Sequence, residues 1–166
     1  MLSHFADWLS GTPASLFLQE RLWIVPASQS VHIIGVSVVF ASTMMVNLRV
    51  LGIGATGRTT AQLTDDLLPW VWRALAVLLV TGAIQTIAEP ARQFVTPAFW
   101  AKMMLLCVAV ALTAVLGKAM RRRGEPGILG GTIPAWVRAV AIASIVVWIA
   151  VIVCGRLIGY TSALYA

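Results

Sequence analysis

Four stretches of this chain stay apolar long enough to cross a hydrocarbon core about 30 Å thick, which takes roughly 20 helical residues. Few folds remain open to such a chain. In lipid every backbone N–H and C=O must find its partner inside the segment or in a closed barrel, so apolar runs of this length form helices and pack on one another. The runs predict spans over about 27–51, 67–88, 97–116 and 134–157. The fold class is all-α: a four-helix transmembrane bundle of residues 27–166, preceded by residues 1–26, a tail with a short interfacial helix.

Composition agrees and excludes the main rivals. Of 166 residues, 60% are hydrophobic and 11% charged, whereas soluble domains carry about a quarter charged residues. A soluble enzyme and a disordered chain are excluded. Two cysteines cannot staple a small secreted fold. The N-terminal segment opens a helix at Thr12-Pro13 and mixes Leu16, Phe17 and Trp23 with Gln19, Glu20 and Arg21, a pattern suited to the membrane interface. It lacks the basic start and small-residue cleavage site of a signal peptide, so it is expected to be retained.

Within the spans, Thr64-Asp65-Asp66 reads as the N-cap and first turn of the second helix, with Pro69 tolerated there. Thr96-Pro97 reads as the cap and first residue of the third. Gly52–Gln62 and Lys118–Thr132 read as surface loops.

Lys and Arg number 12 against 6 acids, an excess that would point to nucleic acid in a soluble protein. Here the basic residues flank apolar spans, where they set orientation, so the partner is the lipid bilayer and no nucleic acid is expected. The face joining spans one to two and three to four holds Arg49, Arg58, Arg73, Lys118, Arg121, Arg122, Arg123 and Arg138; the other holds Arg21, Arg92, Lys102 and Arg156. Eight against four places the two long loops in the cytoplasm and both termini on the periplasmic side of an inner membrane.

Polar side chains inside a bilayer cost roughly 2.5 to 3.5 kcal/mol each when charged, so their positions carry the functional signal. His32 and Lys102 each lie five residues inside the outer boundary of their spans, roughly 7 to 8 Å deep at about 1.5 Å per residue. Gln85 and Glu89 end the second span on that side and Arg156 ends the fourth. Spacings of three and four align Ser28, His32, Gly35, Val39, Ser42, Val46 and Arg49 on one helix; Leu78, Gly82, Gln85 and Glu89 on the next; Lys102, Leu106, Ala109 and Thr113 on the third. These stripes predict an outer-leaflet pocket walled by His32, Gln85, Glu89 and Lys102.

Each residue also has a plainer reading. His32 either binds a ligand or hydrogen-bonds Gln85 or Glu89 to fix helix packing. Lys102 either faces the pocket or extends to the headgroups. Glu89 and Arg156 sit near enough to the interface for solvation or ion pairing. Cys107 and Cys154 have no CxxC neighbour and read as buried apolar residues; a copper site would need Met44, Met103 or Met104 to converge with His32. No GxSxG, P-loop, HExxH or GxGxxG occurs. With only His4 and His32 in the chain, a bis-histidine haem within it is excluded, leaving a second ligand of another kind, a partner's histidine or an open position.

Ser30-Val31-His32-Ile33-Ile34-Gly35 and Asn47-Leu48-Arg49-Val50-Leu51-Gly52, with Asp66-Leu67-Leu68-Pro69-Trp70, Thr81-Gly82, Ala88-Glu89-Pro90 and Pro97-Ala98-Phe99-Trp100-Ala101-Lys102, resemble a bacterial family of small four-helix inner-membrane proteins with no assigned function. The resemblance covers most of the chain from about Leu16. More distantly, the chain is similar to HemJ-type protoporphyrinogen oxidases and CopD-like copper-resistance membrane domains, which share a histidine early in one helix and a lysine early in a later one. His32 and the Ala101-Lys102 pair occupy those places. The resemblance implies a pocket for b-type haem or a porphyrin, with His32 as axial metal ligand and Lys102 as second ligand in its neutral amine form or as a propionate partner. Arg92 or Arg156 would pair a propionate at the outer surface.

The reading from a different class is a non-catalytic accessory subunit or oligomeric scaffold whose polar cluster only locks packing. A small-solute or proton path through His32 and Glu89 ranks below both, because no polar stripe continues to the cytoplasmic side. Ala141, Ser144, Ala150, Gly155 and Gly159 on the fourth helix allow close backbone approach, predicting a homo-oligomer or a subunit of a larger membrane complex, with helix four or the interfacial helix at the contact.

Overall fold

The computed structural model describes residues 2–54, 59–123 and 133–161. Seven helices and no strand occur among them: α1 (Leu2–Ser10), α2 (Pro13–Glu20), α3 (Ile24–Val50), α4 (Thr60–Ala88), α5 (Pro90–Phe94), α6 (Pro97–Arg123) and α7 (Ala135–Thr161). The long ones, α3, α4, α6 and α7, each have the length and apolar content of a membrane span, and the protein is a multi-pass membrane protein with the expected four-helix bundle. Around the bundle α3 packs on α4, α4 on α6, α6 on α7, and α7 returns to α3.

The spans outrun their apolar stretches. The second helix starts at Thr60, not after Thr64, because Thr59 caps it: its hydroxyl accepts from the Gln62 amide at 3.2 Å and the Gln62 side chain accepts from the Thr59 amide at 3.0 Å. This reciprocal box satisfies two otherwise orphaned donors. Asp65 and Asp66 therefore lie beyond the first turn and Pro69 is interior, exposed on the outward side, where it offers no N–H to the Asp65 carbonyl. Asp65 instead accepts from Arg121 Nε at 3.0 Å, tying α4 and α6 at the end of the bundle where α3 finishes (the inner end; the end where α3 begins is the outer end). The third span likewise continues as helix to Arg123, so 118–123 is not loop; the rest of that loop, 124–132, and residues 55–58 of the first lie outside the described residues. At the other end of α6, the Thr96 hydroxyl donates to the Arg92 carbonyl at 2.8 Å.

Inward seams are apolar and outward faces more so. One cluster near the inner end joins Val46, Val50, Leu63, Leu116, Met120, Val137 and Ala141. A second, nearer the middle, joins Val39, Val71, Ala74, Ala109, Trp148 and Val151. Outside, Ile33, Ile34, Leu79, Val80, Met104 and Val146 are exposed, a surface that only lipid or another apolar body covers stably. Cys107 belongs to that outward face rather than to the interior expected of it, because it follows Met104 at a spacing of three, away from the Lys102, Leu106, Ala109 stripe.

Short helices cap the outer end. In α2 the fully buried Ser15 donates to the Ile87 carbonyl at 2.7 Å and accepts from Gln19 at 2.8 Å. Between α1 and α5, Phe5 meets Phe94 edge-on at 5.4 Å, and Phe94 meets Phe99 of α6 at 5.6 Å. The interfacial segment is thus two helices, and α5 adds a third element that the hydropathy pattern does not distinguish from a loop.

The small positions of α7 divide: Ala150 is half-buried and Gly159 exposed. Ala141 and Ser144 are buried, Gly155 lies under Lys102 and Gly159 under Arg92.

Candidate functional site

The site is built where α3 and α4 come closest in their outer halves. On α3 the inward stripe places Ser28, His32, Gly35 and Val39 at successive turns, and Gly35 lets α4 approach so near that a Cβ there would lie 3.0 Å from Leu78 Cδ2. One turn outward, His32 Nδ1 stands 2.8 Å from Thr81 Oγ1. The Thr81 hydroxyl donates to the Val77 carbonyl at 2.9 Å. With the hydroxyl proton on that carbonyl the imidazole donates from Nδ1 and Nε2 presents a lone pair; with the hydroxyl turned to Nδ1 the ring proton sits on Nε2. Among the described residues Nε2 has no hydrogen-bond partner. Ser28 reinforces the seam by donating to the Thr81 carbonyl at 3.2 Å.

The remaining polar groups arrive from the other helices. Lys102 on α6 lies over Gly155 of α7, where a Cβ would sit 3.7 Å from Nζ, and is within electrostatic range of both His32 and Cys154. Gly82 performs the same service beside the imidazole, where a Cβ would sit 3.6 Å from Cε1. Gln85, one turn beyond Thr81, keeps a buried Nε2 with no acceptor.

The expected wall of His32, Gln85, Glu89 and Lys102 is therefore divided. The partner of His32 is Thr81, not Gln85 or Glu89, because the buried row of α4 runs Val71, Ala74, Thr81, Ala88. Glu89 is drawn to the surface by Arg92, whose Nη1 it meets at 2.7 Å. Arg156 leaves the site altogether: exposed, it donates to the Tyr160 hydroxyl at 3.1 Å and lies 5.1 Å over that ring. Met103 and Met104 face outward, so these thioethers do not converge with His32. Among the described residues no three His, Cys, Asp or Glu side chains group as metal ligands.

A second polar group lies toward the inner end: Asn47 donates to Ser144 at 3.1 Å and Trp148 Nε1 to Thr113 at 3.2 Å. A cleft beside it has hydroxyls in its wall, yet Thr43, Thr64 and Thr113 donate to carbonyls of their own helices. Val39, Val71, Ala74 and Ala109 separate it from the His32 site, so polar side chains do not run continuously through the bundle.

The family model described as a family of unknown function, DUF6644, matches residues 23–161, and the chain belongs to that family. The match begins just before α3 and takes in all four spans. No curated protein and no solved structure matches the chain.

Proposed function

We propose that this DUF6644 protein binds a b-type haem or related porphyrin in the outer half of its bundle, with His32 Nε2 as axial ligand. The observation that carries the reading is the 2.8 Å contact of His32 Nδ1 with the Thr81 hydroxyl, which leaves Nε2 turned to the site. Metal-ligating histidines almost always donate their other ring N–H to a neighbouring acceptor, and the Thr81 hydroxyl can be that acceptor here. The donor set suits the group: an imidazole lone pair, a cation at Lys102, an orphaned amide donor at Gln85, and two glycines that keep bulk away from the ring and the amine. Bound there, haem would supply one-electron redox chemistry. The chain's own residues would orient the imidazole through Thr81, offer the Lys102 ammonium to a propionate or its neutral amine to the metal, and exclude water with the outer cap. The resemblance of His32 and Lys102 to the histidine and lysine of HemJ-type and CopD-like domains points to the same pair.

The test is the absorption spectrum of the purified protein, as isolated and after titration with haemin. A Soret band is expected that His32→Ala abolishes with helicity unchanged. Thr81→Val should retain the ligand atom but weaken binding about 10- to 100-fold, the usual effect of removing a ligand-orienting partner. A wild type that stays colourless with haemin, or a His32→Ala variant that binds it equally, overturns the reading in favour of an accessory or scaffold subunit, for which the His32–Thr81 bond is packing alone.

We further propose an inner-membrane orientation with both termini periplasmic and, as a second copy or another subunit, an apolar partner on the outward faces. With Cys107 and Cys154 replaced by serine, single cysteines introduced at Gly57 or Gly124 should resist an impermeant thiol reagent in intact cells. Labelling at either position reverses the orientation.

A further inference from the structure

We propose that a groove at the outer rim, separate from the His32 site and independent of the haem reading, binds the phosphodiester headgroup of an anionic phospholipid. The groove, of about 430 Å³, lies between α2, the first turns of α3 and the junction of α4 with α5. Arg21, Gln29, Glu89 and Arg92 supply its polar wall, Leu22 and Val25 part of its apolar one. Such a wall fits an amphiphile better than a wholly polar or wholly apolar solute.

Charge selects the headgroup. Arg92 is neutralised by Glu89 at 2.7 Å and keeps a buried Nε without an acceptor. Arg21 rests only on the Phe17 ring, 4.5 Å from its centroid, and makes no ion pair among the described residues. Two guanidiniums against one carboxylate leave one positive charge, which a single phosphodiester brings to zero. An additional headgroup ammonium would restore the excess. Phosphate recognition by paired arginines is chemically apt. Placement favours a lipid over a free anion: Leu22 is 88% and Trp23 67% exposed beside the groove, apolar surface that acyl chains would cover.

The experiment measures thermal stability of the full-length protein in a mild detergent with added phosphatidylglycerol, phosphatidylcholine or inorganic phosphate. Phosphatidylglycerol should raise the melting temperature well beyond the other two. Arg21→Gln, at an exposed position that folding does not need, should weaken the apparent phosphatidylglycerol affinity roughly fivefold, and Glu89→Gln should strengthen it, a gain that a merely structural carboxylate would not give. Equal protection by phosphatidylcholine, protection by inorganic phosphate alone, or an Arg21→Gln variant indistinguishable from wild type overturns the proposal.

Discussion

Trp148→Ala is expected to destabilise the bundle by about 3 kcal/mol, the lower end of the range for truncating a large aromatic. Trp148 is only 4% exposed and belongs to the buried layer of Val39 of α3, Val71 and Ala74 of α4 and Ala109 of α6, where side chains of all four spans meet. Transfer from lipid to protein gains little hydrophobic free energy, so the loss arises mainly from contacts that nothing replaces. The indole N–H adds a directional tie: it donates to Thr113 Oγ1 at 3.2 Å, an oxygen whose own proton already goes to the Ala109 carbonyl at 2.8 Å. Trp148→Phe keeps most of the volume and loses that tie, and should cost about 0.6 to 1.7 kcal/mol, the average and the maximum measured for hydrogen bonds between transmembrane helices. Unfolding by SDS in mixed micelles separates the two. An alanine variant within 1 kcal/mol of the phenylalanine variant would mean that the neighbouring helices close the void, and that the middle layer is softer than its packing implies.

The bundle was legible because apolar length is a direct physical requirement of the bilayer, and a run of twenty such residues has few alternatives. Helix ends were not legible to the same signal. The polar first turns of α4 and the basic last turns of α6 project beyond the apolar stretch, so the capping box of Thr59 and Gln62 sits where hydropathy marks a loop. The α3 stripe from Ser28 to Val46 follows from spacing alone, and Ser28, Gly35, Val39, Ser42 and Val46 are buried as it requires. The α4 stripe was set one residue aside. Reading inward from Gln85 and Glu89 selected Leu78 and Gly82, whereas the buried row passes through Ala74, Thr81 and Ala88. Thr81, spaced seven residues from each of those two alanines, was the available clue. Glu89 and Arg156 were chosen by depth, but depth does not fix direction: Glu89 turns to Arg92 and Arg156 to Tyr160. Trp148, an interfacial residue type out of place near mid-span, proves to be a core residue for the same reason, since only its direction and its partner at Thr113 explain it.

Direction at a second position joins stability to the site. Gly35→Val should cost about 1 to 3 kcal/mol by overpacking and should also weaken haemin binding, although residue 35 touches no ligand atom in the proposed arrangement. A Cβ there would lie 3.0 Å from Leu78 Cδ2 and 3.1 Å from its Cγ. The second contact is near the root of the side chain, so rotating the end of Leu78 does not relieve it. Leu78 is itself packed against the Val39, Val71 and Ala74 layer. A β-branched residue is nearly fixed in χ1 within a helix and cannot turn aside. What must yield is the distance between α3 and α4, and His32 reaches Thr81 across that gap one turn outward at 2.8 Å. Widening it lengthens the bond that orients the ring. Gly35→Ala is the informative partner: it makes the same Cβ contacts without the γ-methyls, and the few tenths of an ångström it demands are offset by the about 1 kcal/mol of helix propensity that alanine gains over glycine, so it should cost less than valine. If valine leaves both stability and haemin affinity unchanged, the close approach at Gly35 does not set the spacing of the His32–Thr81 pair.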